Sequence, residues 1–132
     1  MSYENPEYRV YAAVATYLKY QYPNVLYHFD PTGLHLTKTQ AGMLKAIQGG
    51  KGYPDLFIIE PSKNGKWKGL FIEIKHAGTK LLTKDCNNWK DNHITTQAMY
   101  LDSLRKRGFF ADFCCGFDKC KKVIDLYLKG SI

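Results

Sequence analysis

"GYPDLFIIEPSKNGKWKGLFIEIKHAG" occupies residues 52–78 and holds two apolar runs, DLFIIE and KGLFIEIK, joined by PSKNGK. Short runs rich in Ile and Phe read as strands, and the Asn64-Gly65 pair between them is a turn signal. The stretch therefore predicts an antiparallel hairpin whose connection is longer than two residues. Among its charged residues, Asp55 stands at the mouth of the first run and Glu73 and Lys75 near the end of the second. If the strands pair symmetrically about Asn64, facing residues have numbers that sum to 128, which sets Phe57 opposite Phe71 and Asp55 opposite Glu73. Opposed side chains share a face, with β-carbons about 4.5–5.5 Å apart. Lys75, two residues beyond Glu73, projects to that same face, whereas Ile72 and Ile74 project to the other.

Two carboxylates held so close repel one another unless a cation sits between them. A hard cation such as magnesium takes one or two carboxylates and keeps several waters for phosphate oxygens. A lysine beside it can orient an attacking water and offset charge on a scissile phosphate. Plainer readings exist: a turn-capping aspartate after Pro54, and a solvated E-x-K pair on an edge strand. Each suffices for one feature alone, and the joint placement on one hairpin favours a site.

The rest of the chain supplies a frame for that hairpin. PEYRVYAAVATYLKYQY (6–22) places Val10, Val14, Tyr17 and Leu18 at helical spacing behind Pro6, and predicts a helix starting near Glu7. NVLYHFD (24–30) reads as a short strand, and TQAGMLKAIQGG (39–50) as a short helix stopped by Gly49 and Gly50. HITTQAMYLDSLRKRG (93–108) is a second substantial helix, FFADFCCG (109–116) a strand, and FDKCKKVIDLYLKG (117–130) a closing helix. The first few residues and the loops around 30–38 and 76–91 read as poorly tied down. This order predicts one small α/β domain over residues 1–132, a mixed sheet covered by helices.

Composition narrows the function. The 132 residues suffice for one compact domain with a real core, and 19 Lys+Arg against 12 Asp+Glu give a net charge of +7. A basic balance steers polyanions and favours a nucleic-acid partner. Cys86, Cys114, Cys115 and Cys120 show no zinc-ligand spacing and read as free thiols of a reducing interior. The amino terminus MSYENPEYRV has no signal pattern and no apolar run is long enough to span a bilayer, so the expectation is a soluble, intracellular, cytoplasmic protein. His28, His35, His76 and His93 have no partner at metal-ligand spacing and read as surface or loop residues.

GYPDLFIIE, then GLFIEIK, then Gln97 on the following helix, resemble the PD-(D/E)XK nuclease superfamily, and more closely its virus-type replication-repair nuclease (VRR-NUC) branch. The similarity runs through nearly the whole chain, including YLKYQYP, QAGMLKA and LRKRGFFADFCCGFDKCKKVIDLYL. The resemblance implies a restriction-endonuclease-like mixed sheet flanked by helices, with Mg2+ or Mn2+ as cofactor. It implies Asp55 and Glu73 as metal-binding carboxylates, the Ile74 carbonyl as a further ligand, Lys75 as the catalytic lysine, and Gln97 as a residue that organises the site or meets the phosphate. Glu7 falls where such nucleases place a helix-borne acid; Glu4 competes for that place, and a helix-start acid favoured by the macrodipole is the plainer reading of Glu7. Tyr11 departs from the pattern, where a polar residue, often Gln, is expected one turn after the acid.

Tyr53, Lys51, Lys45 and His76 border the expected site and are candidate DNA contacts, with Lys38, Lys80, Lys84 and Lys90 nearby; a solvated surface accounts for most of these lysines equally well. The reading that follows is a metal-dependent DNA endonuclease. Standalone members of this family, found typically in phages, are similar to structure-selective or junction-resolving enzymes. That implies branched DNA, such as a four-way (Holliday) junction in DNA repair, as substrate, and a homodimer presenting two sites. The aromatic helix from Tyr11 to Tyr22 is a candidate dimer surface, with ordinary core packing as the alternative. Two competing readings are a non-catalytic nucleic-acid-binding module and a sequence-specific restriction-type endonuclease.

Overall fold

The structure is a computed structural model that describes residues 5–31 and 36–132. Four helices and four strands lie along the described residues. They are α1 (Pro6–Gln21), β1 (Tyr27–Phe29), α2 (Lys38–Ile47), β2 (Leu56–Ile58), β3 (Leu70–Lys75), α3 (Asn92–Lys106), β4 (Phe110–Cys115) and α4 (Phe117–Leu128). The expected element order and the α/β class hold throughout. Glu4 and His35 lie outside the described residues.

The strands form one mixed sheet in the order β1-β2-β3-β4, antiparallel up to β3 and parallel between β3 and β4. The hairpin pairs symmetrically about Asn64: Leu56 faces Ile72, Phe57 faces Phe71 and Ile58 faces Leu70. The Phe57 and Phe71 rings stack with centroids 4.2 Å apart, a contact that a one-residue slip would destroy. The long connection closes on itself, with the Ser62 hydroxyl accepting from Trp67 N–H at 2.8 Å and Gly65 in a left-handed turn at φ 73°.

Alternation along β3 divides the core. Leu70, Ile72 and Ile74 pack with Val14 and Leu18 of α1 and with Cys120 and Ile124 of α4, while Phe71 packs with Ile94, Ala98 and Leu101 of α3. The sheet is thus a middle layer with α1 and α4 on one side and α3 on the other. Because both faces are covered, all six residues of β3 are buried, including Glu73 and Lys75.

Local chemistry sets the helix starts. Asn5 caps α1 by accepting from Glu7 N–H and Tyr8 N–H, Asp91 caps α3 by accepting from Ile94 N–H at 2.8 Å, and Thr37 and Gln40 form a capping box on α2. Capping holds α2 together, since none of its residues is buried and Met43 and Ile47 face solvent.

Two expectations need correction. The segment 76–91 is not loosely tied: Leu82 pairs with Trp89 in an antiparallel bridge, and the Trp89 ring lies 5.5 Å from that of Phe113. Part of the α1 face considered for a dimer is engaged within the chain, with Tyr17 and Tyr22 half-buried. Tyr11 is buried, and the Tyr17 and Tyr22 hydroxyls both donate to Asp125 of α4 at 2.6 Å, leaving Tyr20 as the strongly exposed ring. Helix packing decides this, because a tyrosine with a carboxylate partner across the interface buries its ring and satisfies its hydroxyl together.

Candidate active site

Asp55 sits one residue before β2, and its Oδ2 accepts from Ile74 N–H of β3 at 2.7 Å. That bond extends the hairpin register past the last strand pair and brings Asp55 to Glu73, the two carboxyl groups lying within hydrogen-bonding reach. A strand residue points its N–H and C=O to the same side, so the Ile74 carbonyl also opens toward Asp55. Lys75 Nζ lies 3.8 Å from Glu73 Oε1. Asp55, Glu73 and Lys75 are 7%, 4% and 7% exposed, so three ionisable groups share one low-dielectric pocket.

Burial dominates the electrostatics. It raises the Asp55 carboxyl above its ordinary range against the pull of hydrogen bonds from Tyr11 and Ile74 N–H. It also pushes Glu73 up to about 9, with the Asp55 charge adding to the rise and Lys75 opposing it. Without a cation, the pair retains a proton at neutral pH.

Gln97, on α3, reaches into the same space: its amide nitrogen donates to Glu73 Oε1 and lies 3.2 Å from His93 Nε2. An amide nitrogen has two hydrogens, and both are engaged when the His93 proton sits on Nδ1. This leaves Gln97 Oε1 and Glu73 Oε2 buried with no hydrogen-bond partner, two oxygens with lone pairs at one site. Such oxygens ordinarily find a partner, and an oxygen-seeking divalent cation would satisfy them. The donor set therefore fits magnesium or manganese: Asp55, Glu73 and the Ile74 carbonyl would hold the ion, with waters completing its shell. Among the described residues no three His, Cys, Asp or Glu side chains converge to hold a metal. Glu7 is half-buried in the first turn of α1; its charge is felt at Glu73 and Tyr11, but it stands outside the carboxylate pair.

Tyr11, the position that departs from the family pattern, is buried on α1 with its hydroxyl bonded to Asp55. Burial and the Asp55 charge raise that hydroxyl well above its ordinary value, so it stays a donor. The signal was its place one turn after Glu7, where a polar group was expected. Asp30 was missed as well: it is buried, and its N–H donates to the Asp55 carbonyl at 2.8 Å across the β1–β2 edge. His93 was read as a surface residue; it is exposed, yet it stands four residues before Gln97 on the site-facing side of α3.

Of the candidate DNA contacts, Tyr53 packs edge-on against Phe71 and Tyr100 and closes the aromatic cluster. His76 follows Lys75 with its Nδ1 3.0 Å from the Ala77 carbonyl. Lys51 is exposed beside Gly52, where the loop touches α3, and Lys45 is exposed on α2. Gly52, at φ 91° with the Thr96 carbonyl oxygen 3.0 Å from where a β-carbon would stand, lets this loop press on α3 and set Pro54 and Asp55 in place.

No family model matches the sequence, and no curated protein matches it. Among solved structures, a "VRR_NUC domain protein" is similar at 26% identity with a TM-score of 0.67, over 95% of this chain and 89% of that one. No helix among the described residues is long and apolar enough to cross a membrane. With that neighbour aligned over nearly the full length and the D…E-x-K residues gathered at one end of the hairpin, the chain folds as a VRR-NUC domain, and so as a domain of nuclease type.

Proposed function

We propose that the domain is a magnesium- or manganese-dependent DNA endonuclease that hydrolyses phosphodiester bonds, selective for branched DNA and acting as a homodimer. The observation that carries this reading is the buried Asp55–Glu73–Lys75 set, with Glu73 Oε2 and Gln97 Oε1 lacking partners beside it. Asp55, Glu73 and the Ile74 carbonyl would hold a divalent ion, which would supply Lewis acidity to activate a water. The chain's own residues do the rest. Ile74 N–H and the Tyr11 hydroxyl hold the Asp55 carboxylate in place. Gln97 fixes the rotamer of Glu73 by bonding Oε1 and leaving Oε2 free. The Lys75 ammonium, donor to any oxygen that enters the pocket, opposes the charge that accumulates on a phosphate under attack.

A site used only for binding has no need of two carboxylates facing a polyanion, which places catalysis ahead of a binding module. Junction selectivity and dimerisation rest on the resemblance to standalone family members. The test is cleavage of a labelled four-way junction and a matched linear duplex in magnesium, manganese or EDTA, by wild type and Asp55→Asn. Metal-dependent cutting of the junction alone, lost in the variant, supports the whole reading. Cutting of both substrates removes the selectivity, a fixed cut site on the duplex favours a restriction-type enzyme, and binding without cutting under either metal favours the binding module. A monomer by light scattering at micromolar concentration would remove the dimer.

A further inference from the structure

The segment joining Lys75 to α3 forms an arm with its own architecture. It leaves β3 through a turn in which the Thr79 hydroxyl donates to the His76 carbonyl at 2.8 Å. Two limbs then run out and back, tied by the Leu82–Trp89 bridge, by Lys90 N–H to the Leu81 carbonyl at 2.8 Å and by Thr83 N–H to the Asn88 carbonyl at 2.9 Å. The tip turns at Cys86, whose φ is 61°, and Leu81 and Trp89 pin the limbs to the cluster around Phe113.

Charge within the arm is divided by role. The Asp85 carboxylate serves the tip, accepting from the Thr83 hydroxyl and from Asn87 N–H, and Asp91 caps α3. The lysines do no such work: Lys80, Lys84 and Lys90 are exposed, and none of them forms an ion pair with the described residues. The acids thus have internal hydrogen-bonding roles, while three cations face water on a braced scaffold. Both feet of the arm stand at the candidate site, one beside Lys75 and His76, the other beside His93 and Gln97.

We infer that the arm at residues 79–90 is a DNA-backbone contact, in which Lys80, Lys84 and Lys90 engage phosphates of the strand that enters the Asp55–Glu73–Lys75 pocket. This rests on the nuclease reading for its ligand, and it assigns that ligand a path. Because the arm is braced by the Leu82–Trp89 bridge and its backbone hydrogen bonds and is continuous with β3 and α3, phosphates held on it would be placed relative to Lys75 at a reduced ordering cost. The contacts carry no base information, so the arm binds duplex and branched DNA alike.

The test is fluorescence-anisotropy binding of a labelled duplex in EDTA, across a potassium chloride series, with no cleavage required. The arm variant is Lys80→Gln, Lys84→Gln, Lys90→Gln. A charge-matched control replaces the exposed Lys119 and Lys122 of α4 and Lys129 at its C-cap, across the sheet from α3. Each lost phosphate contact lowers the slope of log affinity against log salt by about 0.9, so the arm variant should lose about 2 to 3 from the slope and bind roughly tenfold or more weakly near physiological salt. The control should stay within about threefold of wild type. Equal weakening of both variants, an unchanged arm variant, or no binding by wild type overturns the inference.

Cys86 gives a second measurement that needs no substitution, since it is the exposed thiol and lies at the tip. Saturating duplex should slow its alkylation by maleimide several-fold, read by peptide mass, and an unchanged rate overturns the inference. Failure of the nuclease reading looks different: arm-dependent binding persists while magnesium and manganese produce no cutting.

Discussion

Glu73 is held in a way that should make it a liability to the metal-free fold, and the liability should grow with pH. Burial beside Asp55 raises its carboxyl from 4.5 to about 9. Between those values the native state keeps a proton that the unfolded chain has released, so stability falls as pH rises, by up to about 1.4 kcal/mol per pH unit. Replacing Glu73 by Gln keeps the shape and an oxygen acceptor for Gln97 but removes the titration. In EDTA with a reductant, urea unfolding of wild type and Glu73→Gln should therefore diverge. From about pH 5.5 to 7.5 the variant should gain about 1 to 3 kcal/mol on wild type, the upper figure being the full two-unit slope and the lower allowing for water entry and for joint titration with Asp55. Magnesium should reverse the effect in wild type, stabilising it more at the higher pH, because the cation must displace that proton. A stability gap that stays constant across this range, or that narrows as pH rises, would refute the shared-proton account of the pair.

Other consequences can be measured directly. Tyr11→Phe removes a donor to Asp55 and should raise that carboxyl further, weakening magnesium affinity by about 1 kcal/mol, or roughly fivefold, as read by calorimetry at pH 7. Gly52→Ala places a β-carbon 3.0 Å from the Thr96 carbonyl oxygen at φ 91° and should destabilise the domain by about 1–3 kcal/mol in urea. Asp125, held below its ordinary carboxyl range by Tyr17, Tyr22 and Lys121 against the effect of burial, stabilises the α1–α4 interface above the ordinary carboxylate range. That contribution is lost as pH falls through the depressed folded value. Asp125→Asn should therefore cost about 1–2 kcal/mol at neutral pH and progressively less in acid, when each is compared with wild type at the same pH.

The hairpin was legible because its information is local. Period-two alternation, the Asn64-Gly65 turn and the pairing of Phe57 with Phe71 require nothing beyond residues 52–78, and the expected register is the one observed. Asp55 and Glu73 meet for the same reason: register places them together before any helix packs. The helices were legible from their apolar spacing and caps, as with Val14 and Leu18 of α1 and with Asp91 ahead of α3. His93 was half legible, since it precedes Gln97 by one helical turn, but which way that face points depends on how α3 docks.

Sequence alone thus determined the element order, the α/β class, the strand register and the convergence of Asp55, Glu73 and Lys75, all of which follow from short-range periodicity and turn chemistry. Only the tertiary structure decided which groups from distant segments complete the pocket. Tyr11 reaches Asp55 because α1 lies on the Ile72–Ile74 face, Gln97 reaches Glu73 because α3 lies on the other, and residues 79–90 become a braced arm because Trp89 finds Phe113. These contacts depend on sheet order and helix docking, which are set by the summed burial of a whole core and leave no pattern in any one stretch of chain.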